Sequence, residues 1–253
     1  MEMRIVALES LPEIVPGDDL ARLIVDAAER EQRRFEDGCV VVVGQKVVSK
    51  AEGRIVDLAE VRPSPLAEAF ARQHGRDARQ IEVVLGQARR VVKMDRGVLL
   101  VETLQGQVCA NAGVDASNVP AAAGGSERVT LLPCDADASA QALRERLRVV
   151  TGRDCAVIIS DTFGRPWRDG LVDVAIGCAG LRPLADYRGR RDRQGRLLRG
   201  TVIAVADELA AAAGLVMGKT AGRPVVLIHG APIELGEGSA QEMLRPPERD
   251  LFR

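Results

Sequence analysis

Apolar and polar residues follow one another along the chain in blocks that predict short strands and amphipathic helices. Compact apolar runs rich in β-branched residues predict buried strands at 5–8, 39–43, 129–132, 157–159, 172–176 and 225–228. Apolar residues at helical spacing predict helices after the cap Asp18 or Asp19 and over 64–73, 138–150 and 201–218. Residues 98–102 and 108–110 predict a hairpin, whereas 81–93 fits either a helix or a strand.

The apolar run at 157–159 is followed by Ser160-Asp161-Thr162 and then by a Gly-Arg-Pro sequence typical of a turn. A strand ending here would carry Asp161 and Thr162 to its carboxyl end, where α/β proteins commonly bind ligands. Their oxygens suit a hard divalent cation held together with nucleotide phosphates. Judged from this stretch alone, a turn capped by Asp161 and Thr162 is the slightly better interpretation.

Composition limits the class of protein. The chain has 253 residues, 46% apolar but only 2% aromatic, so Val, Leu, Ile and Ala must form the core of one large domain or two small intertwined ones. A net charge of -1 argues against a general role in binding nucleic acid. Five scattered cysteines indicate free thiols, and no apolar run approaches the roughly 18 residues of a membrane helix. We therefore expect a cytoplasmic protein without membrane association.

Other candidate residues lie on glycine-containing or basic segments. Asp115 is a second isolated acid on a loop. Lys46 and Lys50, near Ser49, could bind phosphates, although surface lysines are the simpler explanation. Gly218-Lys219-Thr220 is not a P-loop, because only three residues separate Gly214 from Gly218 and a predicted helix precedes them. Two acids sharing metal ions with a nucleoside triphosphate would suit phosphoryl transfer.

Residues 182–199 form a basic segment with seven arginines and two aspartates. We expect an exposed loop that binds a phosphorylated or polycarboxylate ligand or forms an oligomer contact. RNA binding is an alternative, but the segment lacks interleaved aromatic residues.

Five segments resemble, in family order, the F420-0:gamma-glutamyl ligase family. They are LPEI with PGDDL at 11–20, VVSKAEGR at 47–54, ANAGVDASN at 110–118, SDTFGR at 160–165 and LVMGK at 215–219. The resemblance implies an α+β fold of two intertwined subdomains with mixed β-sheets, forming a single ligase domain over 1–253 and a homodimer. Because the chain ends early, we expect no C-terminal reductase domain.

The resemblance also implies a GTP-dependent ligase that adds L-glutamate to the deazaflavin coenzyme F420-0. GTP would convert the coenzyme's carboxylate to an acyl phosphate, the glutamate amine would displace phosphate, and repeated additions would extend a γ-linked tail. A non-catalytic nucleotide-binding module is the alternative, in which Asp115 and Asp161 belong to turns.

Site residues follow from the resemblance position by position. Two divalent ions, Mg²⁺ or Mn²⁺, would be held by Asp115, Asp161 and Thr162, and a potassium requirement stays open. The residues matching GTP contacts are Leu11, Pro12, Glu13, Ile14, Gln45, Lys50, Asn118, Met217, Gly218, Lys219, Thr220, Ala221, Gly222, Arg223 and Pro224. Lys219 stands where some relatives offer a metal-binding side chain. We also expect Arg188 and Arg190 to face the coenzyme's phosphodiester or its glutamate tail.

Overall fold

The computed structural model describes residues 2–122 and 124–250. Within those residues the α-helices are α1 (Leu20–Arg30), α2 (Gln45–Ala51), α3 (Pro65–His74), α4 (Ala78–Gly86), α5 (Ala136–Thr151) and α6 (Val205–Met217). The strands are β1 (Arg4–Leu8), β2 (Val40–Gly44), β3 (Ile55–Asp57), β4 (Ala88–Asp95), β5 (Val98–Thr103), β6 (Val108–Ala110), β7 (Arg128–Thr130), β8 (Ala156–Arg165), β9 (Arg168–Ala179), β10 (Leu184–Asp186), β11 (Val202–Ala204) and β12 (Val225–His229).

The largest sheet has the strand order β1-β12-β2-β8-β9. β2 and β8 are parallel and the other neighbours are antiparallel, so the sheet is mixed. Successive side chains of a strand point to opposite faces. Val41 and Val43 accordingly join the core formed with α1 and α5, whereas Val40 and Val42 join the core formed with α6. Coverage of both faces explains why these strands are continuous apolar runs rather than alternating ones.

A third apolar core lies within residues 55–131. Leu58, Phe70, Val84 and Leu99 are among its buried members. Two antiparallel sheets frame it, one pairing β3 with β7 and the other ordered β4-β5-β6. These helices and mixed sheets confirm the predicted α+β class. The division of the chain into two intertwined subdomains within a single ligase domain stays a prediction.

Helix boundaries follow local capping chemistry. Asp19, rather than Asp18, caps α1 by accepting a hydrogen bond from the Arg22 N–H at 3.2 Å. Asp135 caps α5 in the same way. α5 ends at Gly152, which adopts the left-handed conformation that glycine tolerates best.

Two predicted boundaries are changed by pairing with distant residues. The ambiguous stretch 81–93 divides into the end of α4 and most of β4, which pairs with β5. The predicted helix over 201–218 is wrong at its start, because β11 pairs with β10 and α6 begins only at Val205. After β12 the polar C-terminal segment is attached near Ser239, whose hydroxyl donates to Asp137 at 2.6 Å.

The prediction for 157–168 needs a larger correction. β8 continues through Asp161 and Thr162 to Arg165, and the hairpin turn falls at Pro166–Trp167 instead of Gly164–Pro166. Ser, Asp and Gly are weak strand formers, but pairing with the twelve-residue β9 satisfies their backbone. Asp161 and Thr162 therefore lie inside a strand and do not cap a turn.

All five cysteines are free. Cys39 and Cys155 are nevertheless neighbours, with their Sγ atoms 2.8 Å apart beside the parallel strands β2 and β8. Among the helices that the structure describes, none has the length and apolar character needed to cross a bilayer.

Candidate active site

Three strands of the large sheet, β1, β2 and β12, end side by side, and the neighbouring strand β8 runs past them with Asp161 and Thr162. This end of the sheet is called the sheet edge below. Leu8 of β1 lies opposite Val225 of β12. Val225 in turn lies opposite Val43 of β2. Gly44, the next residue of β2, lies opposite Ser160 of β8. The chain therefore passes out of the apolar part of the sheet at this edge in four places, as in many ligand sites of open sheets.

The segments next to these strand ends carry most of the residues that match GTP contacts. They are the loop 11–14 after β1, α2 with Gln45 and Lys50 after β2, and residues 217–224 before β12. The Gly44 N–H donates to the Pro224 carbonyl at 2.8 Å, which ties two of these segments together. The fold thus gathers segments separated by about two hundred residues of sequence at one edge.

The β8–β9 hairpin distributes the acids of this edge over two faces. Asp161 and Thr162 are consecutive in β8, so their side chains leave opposite faces of the strand. Thr162 lies opposite Asp173 of β9, and these two side chains share one face. Asp161 and Thr162 therefore belong to two neighbouring groups of side chains rather than to one.

The first group contains Asp161, Asp115 and Lys46. Burial raises the pKa of Asp161 to about 6, and the charges of Asp115 and Asp173 act in the same direction, while the Thr162 N–H and Lys46 oppose them. Asp161 is thus a carboxylate in surroundings that do not fully neutralise it.

Asp115 is held by the amino-terminal turn of α2. Lys46 Nζ lies 2.8 Å from Asp115 Oδ2 and also contacts the Ser117 hydroxyl. Burial acts to raise the pKa of Asp115, but hydrogen bonds from Lys46 and from the Ser117 N–H outweigh it and the pKa is lowered. Asp115 and Asp161, which are 46 residues apart in sequence, therefore come within electrostatic reach of each other.

The second group contains Thr162, Asp173 and Lys219. The Thr162 hydroxyl donates to Asp173 Oδ1 at 2.5 Å. Lys219 Nζ lies 3.3 Å from the same oxygen and also contacts the Thr162 hydroxyl. Gly214 of α6 makes room for this carboxylate, because a Cβ at that position would lie 2.4 Å from Asp173 Oδ2.

The two groups differ in the charge that they offer a divalent ion. Asp115 and Asp161 offer two carboxylates beside the Lys46 ammonium, and an enzyme-bound Mg²⁺ commonly takes one or two carboxylates plus phosphates and waters. Asp173 is already paired with Lys219. Within residues 2–122 and 124–250, no three His, Cys, Asp or Glu side chains are grouped as a complete metal cage. Further ligands would have to come from phosphate or water.

The predicted phosphate-binding lysine is buried and paired. The Lys50 side chain is only 6% exposed, and its Nζ contacts Glu13 Oε1 at 2.5 Å. Ile14 is buried, Leu11 is partly buried, and Pro12 is exposed. Gln45 is also buried and accepts a hydrogen bond from the Ser49 hydroxyl at 2.8 Å. Lys50 therefore connects the loop 11–14 with α2.

The remaining nucleotide-matching residues form exposed turns. Met217 is buried at the end of α6, and Gly218 to Gly222 are exposed. Arg223 Nε lies 3.1 Å from Glu9 Oε1, so this segment is joined to the chain after β1. Asn118 is exposed and has a φ of 58°. The exposed part of this segment therefore consists of two glycines, one alanine and the side chains of Lys219 and Thr220.

Arg188 and Arg190 contact residues of their own segment and not the site carboxylates Asp115 and Asp161. Arg188 makes a two-pronged contact with Asp186, and this hydrogen bonding lowers the pKa of Asp186 to about 2. Arg190 lies over the Tyr187 ring at 5.1 Å. β9 reaches this segment after Ala179, which lies opposite Val157 at the other end of β8 from Asp161. The segment is exposed, as expected.

The sequence interpretation missed Asp173 and Gly214, and it considered Lys46 as a phosphate contact but not as the partner of Asp115. Placing the turn at Pro166–Trp167 is not enough to find Asp173, because pairing Arg165 with Arg168 would set Leu171 opposite Thr162. The register shift between Phe163 and Arg165 brings Asp173 to that place instead. Gly214 had been noted only for its distance from Gly218.

Comparison with known proteins gives a consistent result. The family model described as F420-0:Gamma-glutamyl ligase matches residues 9–230. The coenzyme F420:L-glutamate ligase of Methanothermobacter thermautotrophicus is 44% identical over 256 residues, covering all of both chains. The protein of that name from Methanopyrus kandleri is 46% identical over 94% of this chain and 92% of its own. That from Archaeoglobus fulgidus is 44% identical over 100% and 97%. The chain belongs to the F420-0:gamma-glutamyl ligase family.

Proposed function

We propose that this protein uses GTP to join L-glutamate to coenzyme F420-0 by an amide bond, in the biosynthesis of coenzyme F420. The observation that carries the proposal is the meeting of the acids Asp115 and Asp161 with the loop 11–14, α2 and residues 217–224 at one sheet edge. Three full-length relatives named coenzyme F420:L-glutamate ligase support the choice of substrates.

The reaction has two displacement steps. In the first, a carboxylate oxygen of the coenzyme attacks the γ-phosphorus of GTP, the bond to the β-phosphate oxygen breaks, and GDP leaves. In the second, the glutamate amine attacks the acyl carbon of the resulting acyl phosphate, and phosphate leaves with the bonding electrons as the amine loses a proton. Repetition on the newly added glutamate would extend a γ-linked tail.

The side chains of this edge supply charge and position. Asp115 and Asp161 would hold the divalent ion, Mg²⁺ or Mn²⁺, which when bound neutralises triphosphate charge and helps align the γ-phosphoryl group. Lys46 and Lys219 place ammonium groups on either side of the β8–β9 hairpin. Lys50 is more buried than Lys46 and Lys219. A phosphate oxygen that replaced Glu13 would keep the Lys50 ammonium paired with a negative charge.

The test is a product assay with the purified protein, GTP, Mn²⁺, L-glutamate and F420-0. We expect a product heavier than F420-0 by one glutamyl residue, formed with one GDP per bond, and a second product if addition repeats. Retention of GTP without either product would instead support the non-catalytic nucleotide-binding module.

Two variants sharpen this assay. Asp161→Asn should lose product formation, whereas Asp169→Asn, which changes an exposed acid on the same hairpin, should retain it.

We further propose that the working enzyme is a homodimer, in which the partner could bring Arg188 and Arg190 towards the coenzyme. Light scattering on the eluted protein measures the mass, and a monomer that is fully active would reject the dimer.

A further inference from the structure

We propose that the Lys219 ammonium takes the place of one of the two divalent ions, so that the working site contains one Mg²⁺ or Mn²⁺ for each bound GTP. The inference rests on the proposed function and concerns the group formed by Thr162, Asp173 and Lys219. It departs from the two-ion site that the family resemblance implies.

The charge of Asp173 is already paired within the protein. Its side chain is only 10% exposed, so its charge requires a partner in place of water. The Thr162 hydroxyl donates to Oδ1 at 2.5 Å, and Lys219 Nζ lies 3.3 Å from that same oxygen. Lys219 also contacts the Thr162 hydroxyl. An ammonium group is therefore bound by the two oxygens that would otherwise be offered to a cation at this face.

The balance of charge separates this group from its neighbour. Asp173 and Lys219 together are neutral, whereas Asp115 and Asp161 together with Lys46 keep one negative charge. A divalent ion placed against Thr162 and Asp173 would have to displace Lys219 or bear the repulsion of its ammonium. The same ion placed between Asp115 and Asp161 would meet excess negative charge.

Lys219 is suited to act towards the nucleotide as well. Its side chain is 67% exposed and follows the C-terminal end of α6, so the ammonium faces the open side of the sheet edge. A lysine is a compact point charge on a flexible stem and can neutralise a phosphate oxygen as a metal ion would. The chain thus carries covalently a charge that would otherwise be recruited from solution.

The experiment counts Mn²⁺ per bound nucleotide. The full-length protein is equilibrated with Mn²⁺ and the non-hydrolysable analogue guanosine β,γ-imidotriphosphate, and bound metal and nucleotide are both quantified. Electron paramagnetic resonance then distinguishes an isolated Mn²⁺ from a pair of coupled ions. We expect one Mn²⁺ per nucleotide and an isolated-ion spectrum.

Variants at Lys219 make the result specific. Lys219→Gln should raise the count from one to two and produce a coupled spectrum, because Asp173 loses its ammonium partner and gains a neutral oxygen beside it. Lys219→Arg keeps the charge and should stay at one. Two ions in the unaltered protein, or one ion in Lys219→Gln, would overturn the inference while leaving the ligase proposal intact. Failure to retain the nucleotide would overturn both.

Discussion

Thr162 and Asp173 face each other across the β8–β9 hairpin, and the threonine hydroxyl donates to the aspartate at 2.5 Å. Lys219, which follows α6, contacts both side chains through its ammonium group. The pairing of β8 with β9 therefore determines where this positive charge lies.

Replacing Asp173 by Asn should impair catalysis through Lys219. The amide keeps the size of the side chain but removes the charge that holds the ammonium, so we expect GTP turnover to fall by about 10²-fold. The measurement is GDP release under saturating GTP, F420-0 and L-glutamate. Asp169→Asn is the matched control on the same strand, and an equal loss there would assign the effect to the hairpin as a whole.

Gly214 should not tolerate a methyl group. Ala at this position places Cβ 2.4 Å from Asp173 Oδ2, which is too close, so the carboxylate must move from its position beside Thr162. We expect a clear loss of GTP turnover, with the free energy of unfolding lowered by roughly 1–3 kcal/mol. Gly86→Ala in α4 meets no neighbouring atom and should leave both quantities nearly unchanged. Equal behaviour of the two variants would contradict the packing argument.

Asp161→Asn should have opposite effects on activity and stability. Turnover is lost with the metal ligand, but the metal-free protein no longer holds a partly buried charge near Asp115 and Asp173. Because the folded-state pKa of Asp161 is raised to about 6, its ionised form costs stability above that pH and almost none below about 4. Urea unfolding without metal at pH 8 should show a gain of about 1–2 kcal/mol that disappears in acid. A loss at pH 8 would be contrary to this assignment.

His229 should make the fold less stable in mild acid. Burial lowers its pKa, against the opposing charge of Glu36, and Arg4 on the paired strand β1 adds to the lowering. The unfolded chain therefore binds a proton more readily than the folded one, and stability is full above about pH 6.5 and declines as the pH falls through that value. His229→Gln should flatten the dependence of the unfolding free energy between pH 7 and 5. An unchanged slope would mean that another group controls it.

The sequence predicted the elements whose signal is local. Each of these elements depends on residues close together in the sequence, and each was predicted within a few positions of its observed place. They are the strand at 225–228, the cap at Asp18 or Asp19 and the helix over 138–150. The continuation of β8 through Asp161 was missed because it is stabilised by β9 and not by the propensities of Ser, Asp and Gly.

The site could be predicted only in part from the sequence, because it too depends on contacts between distant residues. Family resemblance pointed to Asp115, Asp161 and Thr162 without showing that Asp161 and Thr162 face different sides of a strand. The contact of Lys219 with Thr162 joins residues 57 positions apart, and no local pattern encodes it. Arg188 and Arg190 were singled out by charge alone. The chain reaches them through β10 after β9 has left the large sheet at Ala179, which lies opposite Val157 and not opposite Asp161.

The central claim is that Asp115 and Asp161 hold the cation of a nucleotide bound at the edge where β1, β2, β8 and β12 meet. Anomalous scattering from Mn²⁺ in crystals grown with guanosine β,γ-imidotriphosphate locates that ion directly. We expect a peak between the two carboxylates, with the triphosphate beside residues 217–224. A nucleotide and Mn²⁺ bound elsewhere on the protein, away from both carboxylates, would contradict the account.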